Sequence, residues 1–153
     1  MKRLLTTLTA CCAGLTTLPA GAVTQEIQDA YNTFSACSGT LDASINLGLQ
    51  IFTDAIRSDN TEISDKADTM LQALYANQDR FSDGYELFEL AFPDIDMELA
   101  DAFYDEQITK FDYLYEVEIT ERVTQWSEVG GLNPEACAPP FNFLVEKAEE
   151  ILY

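Results

Sequence analysis

Apolar residues recur along this chain at three- and four-residue intervals, the period of a helix with one face turned inward. From about Thr24 to Arg57 the stripe reads Ile27, Tyr31, Phe34, Leu41, Ile45, Gly48, Phe52 and Ile56, with Cys37 close beside it. Ser58-Asp59-Asn60 breaks it, and Asp59 with Glu62 resembles a capping box opening a second helix. That helix carries Ile63, Ala67, Met70, Leu74, Phe81, Tyr85, Phe88 and Ala91, and Pro93 ends it. A third stripe follows from about Ile95 to Val129, through Met97, Ala100, Tyr104, Ile108, Phe111, Tyr115, Ile119, Val123 and Trp126, until Gly130-Gly131 stops it. Asn133-Pro134-Glu135 reads as a capped single turn carrying Cys137. Pro139-Pro140 interrupts again, and a short last helix runs from Phe141 to Leu152.

The pattern predicts an all-α fold: an up-and-down bundle of three long helices plus a shorter C-terminal one, held by one disulfide. Helices of roughly 30 residues would be about 45 Å long at 1.5 Å per residue. No internal repeat or linker marks a second domain, so residues 23–153 are expected to form a single acidic helical bundle.

Residues 1–22 read differently. Lys2 and Arg3 precede an uncharged, mostly apolar stretch from Leu4 to about Leu18, and Ala20-Gly21-Ala22 supplies small residues after Pro19. This is the layout of a secretory signal peptide, with cleavage expected between Ala22 and Val23. The stretch is too short and threonine-rich for a good spanning helix. One rival is Leu8-Thr9-Ala10-Cys11, which resembles a bacterial lipobox and would make Cys11 a lipidated N-terminus. Either way the expected location is extracytoplasmic: periplasmic or secreted, with a lipoprotein as the minor alternative.

Charge narrows the choice of partner. The chain has 8 basic and 27 acidic residues, a formal net charge of −19. Without the leader, 131 residues (153 less 22) would keep 6 basic and all 27 acidic groups, or −21. Such a chain is a poor match for nucleic acid or an anionic membrane, both of which need a basic face. It suits a partner with a basic surface. Solubility in a salty habitat is the competing account of the same charge.

Loss of the leader also removes Cys11 and Cys12, leaving Cys37 and Cys137, an even number in an oxidising compartment. A disulfide between them would close a loop of 100 residues. In the chain-entropy account, that closure stabilises by roughly 4–5 kcal/mol. A reactive thiol would need an electropositive setting and a base, and the sequence contains no histidine. That same absence removes Ser-His-Asp and Cys-His catalysis, haem attachment and Glu-x-x-His di-iron sites. Asp94, Asp96, Glu98, Asp101 and Asp105 resemble the start of an EF-hand loop, but its sixth position, Gly in that loop, is Leu99 here. No cofactor, metal site or catalytic residue is therefore expected. A carboxylate-based or carboxylate–metal enzyme is the alternative reading.

The aromatics are the least ordinary feature. Phe103 with Tyr104, and Tyr113 with Tyr115 around Leu114, put apolar bulk on more than one helical face. They are candidate interaction residues for a protein partner, a homodimer or an apolar ligand. In layout, one cysteine early and one late, the chain resembles small exported bacterial helical proteins, and that layout implies no activity. The expected function is a non-catalytic exported binding module.

Acidic neighbours at helical spacing, such as Asp101/Asp105, Asp112/Glu116 and Glu146/Glu150, repel by a few tenths of a kcal/mol per pair at low salt. Raising the ionic strength or adding divalent cations should therefore raise the urea midpoint of unfolding. A midpoint indifferent to salt would show that the charges are already compensated.

Overall fold

The first helix begins where Thr24 accepts a hydrogen bond from the Ile27 backbone N–H. In this computed structural model, which describes residues 22–131 and 133–153, the helices are α1 (Gln25–Arg57), α2 (Thr61–Ala91), α3 (Met97–Thr109), α4 (Ile119–Val129) and α5 (Pro134–Leu152). A 3-10 helix, Asp112–Glu116, lies between α3 and α4, and no strand occurs among the described residues. The predicted leader, including Cys11, Cys12 and the residues up to Gly21, lies outside the described residues.

Contacts with α1 give the direction of every other helix. Tyr31 meets Phe88, Phe34 meets Tyr85 and Gly48 faces Leu71, so α2 runs antiparallel to α1. Gln28 bonds Asp96 and Gly39 faces Tyr104, so α3 returns parallel to α1. Arg122 pairs with Asp54 and Trp126 faces Gly48, so α4 turns back down. Further along, Cys137 joins Cys37 and Phe141 meets Phe34, so α5 continues in the direction of α4. The result is an up-down-up-down bundle whose third leg is α3 with the 3-10 helix and whose fourth is α4 followed by α5. The bundle and its disulfide agree with the sequence reading.

Three boundaries differ. The continuous third helix over 95–129 does not form: it ends at Thr109, and the chain turns over before α4. Lys110, Phe111 and Leu114 make tight backbone bonds to residues three earlier. That spacing puts Phe111 and Leu114 together in the core. The Arg122 guanidinium then bonds the Tyr115 and Val117 carbonyls at 3.0 and 2.9 Å, satisfying acceptors the turn strands, and pairs with Asp54 at 3.0 Å. Trp126 therefore belongs to the fourth leg.

The last helix starts at Pro134 and runs through Pro139 and Pro140. Neither ring can donate to the ladder. Helical geometry nevertheless persists because the chain is anchored on both sides, by the Cys37–Cys137 bond and by Phe141 in the aromatic core. Finally, Asn60 rather than Asp59 caps α2, accepting from the Ile63 N–H at 3.2 Å. Asp59 instead takes a left-handed conformation, φ 54°. The Asn60 N–H reaches the Ala55 carbonyl and the Asp59 N–H that of Ile56, a Schellman ending for α1.

The single stripe expected on α1 is also too narrow. Seventeen of its 33 residues are buried, more than one helical face holds. Ile56, placed on the stripe by its spacing, is 55% exposed, while Ala43, Leu47, Ile51 and Ala55 point inward. Small residues make this possible. A Cβ on Gly39 would collide with the Tyr104 carbonyl, and one on Gly48 would lie 2.5 Å from the Trp126 ring. At the other end of α1, Phe34 packs against Phe81, Tyr85, Phe88 and Phe141 with ring centroids 4.6–5.8 Å apart. Such pairs contribute about 0.5–1.5 kcal/mol each beyond area burial.

The left-handed turn gives a prediction of opposite signs at one position. Asp59→Gly should raise the urea midpoint slightly, whereas Asp59→Val should lower stability by roughly 1–2 kcal/mol, because a branched Cβ clashes at positive φ.

Candidate binding cleft between α1 and α2

Asp42 is the only charged residue of α1 between Asp29 and Asp54, and it stands amid small and apolar neighbours. The alternation that buries Leu41 and Ala43 leaves Asp42 half-buried at the seam with α2. One carboxylate oxygen accepts the Tyr104 hydroxyl at 2.8 Å, and the other accepts the Gln78 amide at 3.3 Å. A single side chain thereby ties α1 to α2 and α3.

Next to it opens a cleft of about 380 Å³ lined by Ser38, Leu41, Asp42, Gln78, Asp79, Phe81, Ser82 and Tyr85. The volume lies at the small end of ordinary ligand sites. Asp79 is exposed on its α2 wall. Among the described residues, the ion pairs join Asp54 to Arg57 and Arg122, Glu106 to Lys110, and Glu150 to Lys147. None reaches Asp42 or Asp79. Arg80, next in sequence, is committed elsewhere: it donates to Asn142 at 3.2 Å and stacks 4.5 Å over the Phe141 ring.

A second cleft, of about 510 Å³, lies at the start of α1 between residues 22–25, Gln28, Asp94, Asp96 and Leu99. Asp94, Asp96 and Glu98 do not gather there as ligands. Asp96 caps α3 by accepting from the Leu99 N–H, and its backbone is gripped by Gln28 through both amide atoms. Among the described residues no group of three or more His, Cys, Asp or Glu side chains is placed to hold a metal ion.

The residues singled out from the sequence separate into different roles. Cys37 and Cys137 are joined, with Cα atoms 5.9 Å apart. Val23 packs against the core beside half-buried Ala22. Phe103 is exposed on the outer side of α3, while its neighbour Tyr104 turns inward to Asp42. Tyr113 is 54% exposed, whereas Tyr115 is half-buried above Arg122. Two of the four candidate aromatics thus face the bundle. At Tyr113–Tyr115 the aromatic bulk on two faces marks the 3-10 helix beyond α3, where Leu114 goes in and Tyr113 goes out. The cleft residues Asp42, Ser38, Gln78 and Asp79 were not among the candidates. The isolation of Asp42 in an uncharged stretch was the signal available.

Burial raises the phenol pKa of Tyr104 well above its ordinary 10.0, and the hydrogen bond to Asp42 raises it further. Tyr31 is raised as well, chiefly by burial and then by Tyr85, Glu89 and Asp101. Compared with protein-family models, curated proteins and solved structures, the chain finds no match.

These phenols make stability depend on alkaline pH. Below about pH 10 they hold their protons in both the folded and unfolded chain, so nothing changes. Above it the unfolded chain loses protons first, and stability falls until the raised folded values are reached. Urea midpoints should therefore drop above about pH 10, with the buried phenolate absorbance appearing only as the protein unfolds. A full phenolate signal from the folded protein would contradict this.

Proposed function

We propose that this protein is an exported, non-catalytic binding module that recognises partners carrying a basic surface. One observation carries the reading: Asp42 and Asp79 share a cleft without a cation from the described residues, in a chain of net charge −19. A partner that brings positive charge gains Coulomb attraction there and is steered by the wider field. Export is supported by the leader pattern of residues 1–22 and by the Cys37–Cys137 bond, which suits an oxidising compartment. Among the described residues no helix is long and apolar enough to cross a membrane.

Two measurements test this together. The intact mass of protein exported from bacterial cells, with and without reduction and alkylation, should begin at Val23 and take up alkylating reagent only after reduction. A lipid-sized increment on Cys11 would make it a tethered module instead, and a full-length mass with free thiols would sink export. The exported protein should then retain cationic polypeptides but not neutral ones of equal length, with affinity falling as salt rises. Equal retention of both would overturn charge-directed binding.

A further inference from the structure

The two carboxylates of the α1–α2 cleft differ from the rest of the acidic surface in what surrounds them. Ser38, only 6% exposed, lines the cleft, and its hydroxyl forms no hydrogen bond with another described residue. Tyr85 forms part of the wall, and Phe81 lies beneath, stacked on Phe34 and Phe141. Arg80, the nearest cation in sequence, is held away by Asn142 and the Phe141 ring. The site therefore has acceptors, an aromatic wall and no counter-charge from the described residues.

We propose that this cleft binds a primary alkylammonium group, with Asp42 and Asp79 as counter-charges, Ser38 as a further acceptor and Tyr85 as the aromatic wall. The proposal rests on the reading of the protein as a binder of cationic partners and assigns that binding a site.

The chemistry of the cleft selects among cations. A guanidinium prefers a carboxylate with both oxygens free for a paired contact. Asp42 has one oxygen taken by Tyr104 and the other shared with Gln78, so a paired contact is open only at the exposed Asp79. An ammonium is a compact charge with three separately directed donors, and it matches single acceptors on Asp42, Asp79 and Ser38. Calcium demands six to eight oxygens, more than two carboxylates and a hydroxyl supply. An aromatic side chain in the wall, Tyr85, suits the methylene stem of an organic cation. The same group can arrive as a free diamine or as a lysine side chain of a polypeptide.

The test uses the exported, disulfide-intact protein, isotope-labelled and titrated with diaminopentane, with a peptide holding one internal lysine, and with methylguanidinium. Amide shifts should cluster on Ser38, Gln78 and Tyr85 for at least one of the two amines. Affinity should fall roughly tenfold in Asp42→Asn and in Asp79→Asn, the loss expected for one charge-assisted hydrogen bond. Glu62→Gln removes the same charge roughly 25 Å away along α2, at 1.5 Å per residue, and should change little. Asp79 is exposed, so Asp79→Asn decides the matter even if Asp42→Asn does not fold. Binding of diaminopentane alone assigns the cleft to free amines, and binding of the peptide assigns it to lysine side chains. Shifts spread over the acidic surface, methylguanidinium binding as tightly as the amines, or equal losses in Glu62→Gln and Asp79→Asn would overturn the site while leaving charge-directed binding intact. No response to any cation would overturn both.

Discussion

Close approach to α1 places every other helix. A long helix surrounded on several sides can be covered only if its neighbours come near, and side-chain size sets that distance. Gly39 lets the α3 backbone pass against α1 at Tyr104, and Gly48 receives the Trp126 ring. Between them, Ser44 is fully buried and donates its hydroxyl to the Gly130 carbonyl, fixing the end of α4. At the far end the spacing changes, and large rings fill it: Phe34 is enclosed by Phe81, Tyr85, Phe88 and Phe141. The disulfide lies between these two regions, so α5 is held by a covalent bond and by aromatic packing in adjacent turns.

Two polar side chains do for the connections what the small residues do for the helices. Gln28 uses both ends of its amide on the backbone of Asp96, pinning the turn between α2 and α3 to the start of α1. Arg122 gathers the carbonyls of Tyr115 and Val117 together with Asp54, pinning the turn between the 3-10 helix and α4 to the end of α1. Each group is buried, and each satisfies backbone atoms that would otherwise be stranded away from water. Removing either would leave those atoms unpaired, so both are bound to the fold rather than available to a ligand.

Asp42 stands apart from these. Its bonds to Tyr104 and Gln78 are to neutral donors, and among the described residues no cation pairs with it or with Asp79. The site appears only when α1, α2 and α3 are assembled, since its members are far apart in sequence. The one local trace of it, an acidic residue alone in an uncharged helical stretch, does not by itself mark Asp42 as part of a site. Nothing local pointed to Gln78 or Ser38, because a lone amide or hydroxyl on a helix is common and its surroundings are tertiary.

By itself, the chain determined its class, because helical periodicity, capping residues and glycine or proline stops are local properties that survive any arrangement of the pieces. It also determined the pairing of Cys37 with Cys137, since those are the only cysteines left outside the leader pattern. Tertiary structure decided where the long third stripe breaks: burial in the assembled core rewards Phe111 and Leu114 for turning in while Tyr113 turns out. It decided that α5 runs through Pro139 and Pro140, because anchors on both sides outweigh two missing donors. It decided that Ile56 is exposed and Ala55 buried, a choice that periodicity leaves open when a helix has neighbours on several sides. And it placed Asp42 beside Asp79, since electrostatic environment depends on distance in space rather than along the chain.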